Sequence, residues 1–148
     1  MTKTLATLFA ATLICAAAPA FAGECPADQV GKNPLADAAT MPKDVTDTLL
    51  SSVDLGPEIN VQGRSLRIRK LVVQPGGVVP LHSHVDRPAL IMTASGTMTE
   101  YRSSCLVPIV HQAGEVAHES GGISHWWKNN GNEAAVLYSA DVHDDAAK

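Results

Sequence analysis

Residues 76–96 read GGVVPLHSHVDRPALIMTASG, and this stretch decides the fold. A glycine stands at each end, and between them His82 and His84 are separated by a single residue. On an extended chain, residues two apart point to the same face, so the two imidazoles are neighbours if this segment is a strand. The stretch therefore predicts β-structure that presents a pair of metal-ligand side chains.

A second glycine-marked stretch, residues 114–129, reads GEVAHESGGISHWWKN and carries His125. A third imidazole from this distant loop would complete a facial set of neutral nitrogen ligands and leave coordination positions open on a borderline divalent metal. Open positions favour chemistry over a structural role. The alternative is that His82 and His84 are surface loop histidines and that His125 packs beside two tryptophans.

The two stretches resemble the paired motifs of the cupin superfamily. Their spacings are Gly76-x5-His82-x-His84-x4-Ala89-x6-Gly96 and Gly114-x5-Ser120-x-Gly122-x2-His125-x3-Asn129. The resemblance covers roughly residues 60–142. It implies an all-β fold, a single cupin-type antiparallel β-barrel (double-stranded β-helix or jelly roll). It also implies a homodimer and a divalent metal held by His82, His84 and His125, with Fe(II) expected first and Mn, Ni, Cu or Zn as alternatives.

The chain departs from the family pattern at Ala89, where the resemblance would place a glutamate as fourth ligand. Neighbouring Pro88 cannot bind a metal either. Three neutral imidazoles leave a divalent cation with its full charge, so the site should attract an anionic ligand and lower the pKa of bound water. Ser120 replaces the usual proline of the second motif, which should alter a turn and leave the ligands unchanged.

Residues beside the motifs offer less specific candidates. Glu119 and Asp86 are the acids nearest to them, and each is either a base behind the metal or a solvated carboxylate. His118 shares a strand face with Val116, so it is a fourth ligand, a proton shuttle or a substrate contact if that face is interior. Otherwise it is a packing or surface residue.

Two arginines, Arg87 and Arg102, either orient an anionic substrate or lie outside the barrel as surface charges. His111 and His143 are also expected outside the barrel. One of the adjacent residues Trp126 and Trp127 should point inward, as a pocket wall or as core.

The N-terminus has the pattern of a cleavable secretory signal peptide. Lys3 precedes an apolar run, Leu5–Ala18, that is too short to span a bilayer, and Ala20-Phe21-Ala22 is an A-x-A cleavage site. We therefore expect a soluble periplasmic protein with no membrane contact after cleavage. Loss of Lys3 shifts the formal net charge from −4 to −5, which argues against a nucleic-acid partner.

Three segments are predicted: the signal peptide at 1–22, an extended arm at 23–45 and the barrel at 46–144. Cys25 and Cys105 form an intramolecular disulfide, remain free thiols or make an intermolecular bridge. The segment Asp44–Ser52 is either a short helix or an edge strand.

Short strands with no long amphipathic helix indicate an antiparallel sandwich or barrel. The run Gln74–Gly77 predicts a turn. The predicted strands are Ser65–Val73, Val78–His84, Ala89–Ala94, Thr97–Arg102, Val107–Val110, Glu115–Glu119 and Glu133–Val142.

Two functions from different classes fit these observations. The first is a small mononuclear metal enzyme of dioxygenase-like type that acts on a small anionic or chelating organic substrate. The second is a non-catalytic module that binds a metal or a small ligand for sensing or scavenging. A third possibility is that the barrel has lost its metal site and has only a structural role as a dimer. The sequence identifies no catalytic residue beyond the proposed ligands.

Overall fold

The computed structural model describes residues 23–147, and most of them lie in β-strands. The predicted signal peptide lies outside these residues. The strands are β1 (Lys43–Asp54), β2 (Arg64–Ser83), β3 (Ala89–Ser95), β4 (Thr97–Arg102), β5 (Ile109–Gln112), β6 (Val116–Glu119), β7 (Ser124–Lys128) and β8 (Ala135–Asp144). A short helix, α1 (Leu55–Ile59), links β1 to β2, and Ala27–Gln29 form a 3-10 turn.

The eight strands form one antiparallel sheet that curls into a nearly closed barrel. Along the sheet the order is β5-β4-β7-β2-β8-β3-β6, and β1 pairs with β2 outside this path. The prediction of an all-β antiparallel barrel is confirmed.

Alternation along the strands separates the interior of the barrel from its outer face. In β3 the side chains of Ala89, Ile91 and Thr93 are buried while those between them are exposed. The apolar core consists of Leu71, Val73, Ile91, Met98, Ala117, Trp127, Ala135 and Leu137. Each large side chain buried in this way stabilises the fold by about 1.5–3 kcal/mol.

The predicted turn at Gln74–Gly77 is wrong, because β2 continues through it as one long strand. What changes there is the pairing partner: β2 pairs with β8 as far as Val73 and with β7 from Val78 onward. Gly76 adopts a positive φ of 75°, which suits glycine and bends the strand. The buried side-chain amide of Asn129 donates hydrogen bonds to the carbonyls of Val73 and Glu133, so it holds the bend in place.

The N-terminal arm lies against the turn between β4 and β5. Cys25 and Cys105 form a disulfide, which selects the intramolecular pairing from the alternatives. Backbone hydrogen bonds from Gly31 and Asn33 to the carbonyls of Ser104 and Ser103 continue the attachment. The arm ends earlier than predicted, because β1 begins at residue 43, and the segment 44–52 is therefore strand and not helix.

Candidate metal centre

Three imidazoles meet inside the barrel. His82 and His125 face each other directly across the pairing of β2 with β7, and His84 lies two residues further along the chain from His82. The three Nε2 atoms are 3.0–3.1 Å apart. The prediction that these residues converge matches the geometry, but the expectation that His125 comes from a loop is wrong, because it lies within β7.

Each imidazole is oriented by a hydrogen bond from its other ring nitrogen. The Nδ1 atom of His82 lies 2.8 Å from the carbonyl oxygen of Pro80, and that of His84 lies 2.7 Å from the carbonyl oxygen of Arg87. Carbonyl oxygens only accept, so both Nδ1 atoms carry the proton and both Nε2 lone pairs point toward the shared centre.

His125 is oriented in the same way by a carboxylate, because its Nδ1 lies 2.7 Å from Oε1 of Glu100. The indole nitrogen of Trp127 lies 3.0 Å from the same Nδ1, but both of these nitrogens are donors when Glu100 is ionised. The shorter contact to an acceptor therefore decides that Nδ1 carries the proton. A carboxylate or carbonyl behind a ligating histidine is the usual arrangement around protein-bound metals.

The geometry of the three Nε2 atoms fits a metal ion. Three lone pairs at this separation repel one another unless a cation lies between them. Nitrogens bound at about 2.1 Å and at right angles on one metal are about 3.0 Å apart, which is the spacing seen here. His82, His84 and His125 can therefore hold one divalent metal and leave its remaining positions free.

The electrostatic environment keeps these ligands neutral. Burial, followed by the proximity of His125, lowers the pKa of His82 to about 3. Burial also lowers the pKa of His84 to about 4 and moves the pKa of His125 below its usual value. Protons therefore do not compete for the Nε2 lone pairs near neutral pH.

A buried polar network lies behind His125. The carboxylate of Glu100 accepts hydrogen bonds from His125, from Nε2 of His111 at 3.0 Å and from two guanidinium nitrogens of Arg102 at 2.7 and 2.9 Å. Burial alone would raise the pKa of Glu100, but these hydrogen bonds outweigh it and hold the pKa well below its usual range. Glu100 is therefore an ionised acceptor at the back of the metal site.

Glu119 is a second buried acid in this network, so the alternative of a solvated carboxylate is wrong for this residue. It pairs with Ala89 across the ladder between β3 and β6. The acid therefore lies opposite the position where the family pattern would place a glutamate ligand and this chain has alanine. One oxygen accepts from Arg102 at 3.1 Å, and the other lies 3.2 Å from Nδ1 of His125. Burial and the charge of Glu100 raise the pKa of Glu119 to about 8.

The two acids and the Nδ1 side of His125 are close enough together to suggest a second cation site. The guanidinium of Arg102 already contacts both carboxylates and supplies that positive charge. Glu119 therefore lies behind His125 and not among the converging Nε2 atoms.

His111, which was expected outside the barrel, is interior, and so is Arg102, for which an outside position was one of two alternatives. His111 is fully buried, and the side chain of Arg102 is only 13% exposed. The alternation of buried side chains could have predicted this. Met98 and Glu100 share the inner face of β4, and Ile109 shares the inner face of β5 with His111. The predicted strand Val107–Val110 ended one residue before His111, so His111 was not counted in the alternation of β5.

The remaining candidates lie away from the metal centre. Val116 and His118 both face outward, and the His118 side chain is 64% exposed, so its surface role is the correct alternative. Asp86 is exposed, and His143 is half-buried near the end of β8. Trp127 is buried and stacks on His111, and Trp126 stacks on Tyr101 with ring centroids 4.1 Å apart.

A cavity of about 200 Å³ opens beside the metal centre. Its wall includes His82, and its polar lining is Arg69, Arg87, Asp47 and Ser139. The rest of the wall is apolar and includes Trp127 and Leu137. A small molecule in this cavity would therefore meet both charged and apolar side chains beside His82.

Comparison with known proteins places this chain beside others that have barrels of the same kind. A family model described as "Cupin domain" matches residues 69–141. Germin-like protein 5-1 of Oryza sativa subsp. japonica is 35% identical over 94 residues, which are 60% of this chain and 40% of that protein. The chain thus spans less than half the length of that relative.

Solved structures show the same fold at low identity. The cupin domain of Schizosaccharomyces pombe Cnp3 has a TM-score of 0.56 at 14% identity, covering 69% of this chain and 66% of that one. An oxalate oxidase in complex with the substrate analogue glycolate has a TM-score of 0.53 at 21% identity, covering 78% and 63%. Among residues 23–147, no helix is long and apolar enough to cross a membrane.

Proposed function

The chain belongs to the cupin superfamily, and from that premise we propose that it is a small mononuclear metal enzyme of dioxygenase-like type. Its substrate in this proposal is a small anionic or chelating organic molecule. The observation that carries the proposal is the convergence of three Nε2 lone pairs, each oriented by an acceptor behind its ring.

The division of labour among the residues follows from their positions. A bound metal would supply Lewis-acid or redox chemistry at the inner end of the cavity. Glu100 holds the Nδ1 proton of His125 and so keeps its Nε2 lone pair directed inward. The guanidinium of Arg87 attracts and orients an anion, while Trp127 and Leu137 exclude water from its apolar part. Fe(II) is the first expectation for the metal, with Mn, Ni, Cu or Zn as alternatives.

The test of the metal site is elemental analysis of the mature protein purified from its own cell envelope. We expect near-stoichiometric metal in the wild type and its loss in a His82→Ala/His125→Ala double variant. A His118→Ala/His143→Ala double variant is the matched control, since it removes two histidines outside the site. Equal, trace metal in all three folded proteins would contradict the proposal that the three histidines bind a metal.

The test of catalysis is oxygen consumption by the metal-loaded protein with catechols, flavonols, β-diketones and thiols. Oxygen-dependent turnover that disappears in the His82→Ala/His125→Ala variant supports the dioxygenase-like activity. If no member of the panel is turned over, the oxygenase proposal fails, and lyase or isomerase chemistry has to be assayed in its place.

A non-catalytic module that binds a metal or small ligand is the second candidate. One observation favours it: among the described residues that line the cavity, the single carboxylate, Asp47, is already paired with Arg69. No unpaired carboxylate there is available to move a proton. Tight retention of metal and ligand without turnover is the outcome expected of such a module.

We also propose that the protein is exported through the N-terminal signal peptide and acts in the periplasm. The disulfide between Cys25 and Cys105 supports this, because disulfides persist in oxidising compartments. The mass of the protein recovered from a periplasmic extract tests the proposal. We expect a chain that begins at Gly23, whereas a full-length chain in the cytosolic fraction would contradict it.

A homodimer is the remaining proposal, and an apolar row on the outer face of the barrel supports it. Ile68, Ala140 and Leu90 are directly opposed across β2, β8 and β3, and the Leu90 side chain is about half exposed. Exposed apolar surface of this kind marks interfaces. Light scattering should give a dimer mass for the wild type and a monomer mass for Ile68→Lys; a wild-type monomer would refute the proposal.

A further inference from the structure

Arg87 is positioned to bind an anion that the protein does not itself supply. In the part of the chain that the structure describes, its guanidinium makes no hydrogen bond, and its Nε is buried without a partner. The nearest carboxylate oxygen belongs to Asp141 and lies 3.9 Å from that Nε. A guanidinium has five N–H donors, so this side chain enters the cavity with its donors unused.

The Nε of Arg69 also lacks a hydrogen bond, but both neighbouring arginines differ from Arg87 because their other guanidinium nitrogens have acceptors. Arg67 binds both carboxylate oxygens of Asp141, at 3.2 and 2.8 Å. Arg69 is paired with Asp47 and lies 3.4 Å from the hydroxyl of Ser139. Three guanidinium groups thus surround two carboxylates, and the positive charge left over is that of Arg87.

The backbone of Arg87 connects this charge to the metal centre. Its carbonyl oxygen accepts the Nδ1 proton of His84, while its side chain and His82 line the same cavity. A ligand bound to Arg87 would therefore reach toward the open side of the three-histidine centre. The two recognition elements belong to one pocket.

The cavity between them limits the size and character of the ligand. Its volume of about 200 Å³ lies below the ~300–1,000 Å³ typical of pockets for drug-sized ligands, so it favours a small molecule. Its walls between the polar residues are apolar and include Val79, Ile91 and Leu137. An apolar carbon body is therefore required between the two polar ends of the ligand.

We propose that Arg87 is the carboxylate-binding residue of this pocket and that the ligand is a small monocarboxylate with a compact apolar body. The carboxylate accepts two parallel hydrogen bonds from the guanidinium, and an oxygen donor at the other end of the ligand faces the metal. The three guanidinium groups exceed the two carboxylates by one positive charge, which one carboxylate of the ligand would neutralise. This inference rests on the proposed metal site for the position of the second end.

Calorimetric titration of the mature, zinc-loaded protein tests the inference. The probes are 4-oxopentanoate and 3-hydroxybenzoate, each paired with its primary amide, which has the same shape and no charge. We expect each acid to bind at least about tenfold more tightly than its amide, as charge-assisted hydrogen bonds predict. Arg87→Gln should abolish this preference without changing the zinc content.

Two further variants make the result specific. Arg64→Gln is the matched control, because Arg64 is another partly buried arginine that does not line this cavity, and it should keep the preference. Arg87→Lys retains the charge without the planar fork, and it should recover part of the preference. Equal binding of acid and amide, no binding of either acid, or an unchanged preference in folded Arg87→Gln would overturn the inference.

The same titration on metal-free protein separates this inference from the proposed function. The guanidinium is present without the metal, so the Arg87-dependent preference for the acid should persist at lower affinity. If the protein retains no metal but keeps that preference, the metal enzyme fails and the carboxylate site stands. If it retains metal but shows no preference, the carboxylate site fails and the metal centre stands.

Discussion

His125 has a different chemical environment at each of its ring nitrogens. Its Nε2 meets two other imidazoles beside the cavity, and its Nδ1 meets the ionised carboxylate of Glu100 in the interior. A carboxylate hydrogen-bonded to a ligating imidazole raises the basicity of that ligand. The chain therefore has no acid at residue 89 to bind a metal directly, but the carboxylate of Glu100 would act on a metal bound at Nε2 through the ring of His125.

Replacement of Glu100 tests this influence. Glu100→Gln preserves the shape of the side chain but removes the charge that Arg102, His111 and His125 share. We expect the metal affinity to fall about 10–100-fold, as for other partners of ligating histidines. The free energy of unfolding should fall by about 3 kcal/mol, because Arg102 loses its main buried partner.

Competition with a chromophoric chelator measures the affinity in this experiment, and urea unfolding of the metal-free protein measures the stability. Glu58→Gln on the exposed side of α1 is the control and should alter neither quantity. An unchanged metal affinity in Glu100→Gln would show that the carboxylate supports the fold and not the ligand.

Asp141 should make the stability of the protein depend on pH. Burial alone would raise its pKa, but the hydrogen bond from Arg67 and the nearby guanidinium charges outweigh burial and hold the pKa below its usual value. A carboxyl group with a depressed folded-state pKa stabilises the fold above its unfolded pKa. That contribution is lost as the pH falls through the folded value.

We therefore expect Asp141→Asn to lower the free energy of unfolding by about 3 kcal/mol at pH 7, because it removes one partner of a buried ion pair. The difference from the wild type should shrink as the pH falls below about 4. Urea unfolding of both proteins at pH 7, 5 and 3 measures it. A difference that stays constant down to pH 3 would contradict the assigned direction of the pKa shift.

The three histidines were predicted from the sequence, and Glu119 was one of two candidates for an acid behind them, but Glu100 was not predicted, and the reason is physical. His82 and His84 are two residues apart on one strand, so local geometry alone makes them neighbours. Glu100 lies outside both motifs, and its contact with His125 depends on the pairing of β4 with β7. Such long-range pairing leaves no local pattern, although alternation in β4 did indicate which side chains face inward.

At the scale of elements, β2 determines where the ligands meet. Its first half pairs with β8 and its second half with β7, and the two halves join at Pro75-Gly76-Gly77. Proline and glycine there have a local preference for a turn, so the sequence predicted a break in the strand. The chain stays extended instead, because its pairing with two different strands outweighs that local preference. The glycines provide the bend that redirects β2 toward β7.

The side chain of Asn129 should stabilise this bend. Asn129→Ala removes hydrogen bonds to the carbonyls of Val73 and Glu133 in a buried position. We expect a loss of about 2 kcal/mol in the free energy of unfolding, since the carbonyl of the buried residue Val73 loses this hydrogen bond. Asn130→Ala is the control, because that neighbour is exposed and its amide reaches only the hydroxyl of Tyr101.

Chemical denaturation of the two variants measures the difference, and their metal content reports on the register between β2 and β7. Because His125 is only four residues from Asn129 on the same segment, we expect Asn129→Ala to bind metal less tightly. Equal stability of the two variants would show that backbone pairing alone holds the bend.

At the scale of the whole molecule, one covalent bond attaches the arm to the barrel. Cys25 and Cys105 are 80 residues apart, so the disulfide closes most of the described chain into a loop. In the entropy model, closing a loop of this length raises the free energy of the unfolded chain by about 4.5 kcal/mol. The double variant Cys25→Ser/Cys105→Ser should lose up to that amount in urea unfolding. Reductant should destabilise the wild type but not this variant, and equal sensitivity of both proteins would contradict the assignment.

Ala89 and Glu119 occupy one rung of the ladder between β3 and β6, and both side chains are buried. Directly opposed Cβ atoms on a rung are about 5 Å apart, so two ionised acids there would repel each other. Glu119 is largely protonated near neutral pH, because burial and the charge of Glu100 raise its pKa to about 8, and an ionised acid at residue 89 would raise that pKa further. An acid that bound a metal at residue 89 would therefore depend on the proton held by its neighbour across the rung. The residue types at these two facing positions should accordingly covary among relatives.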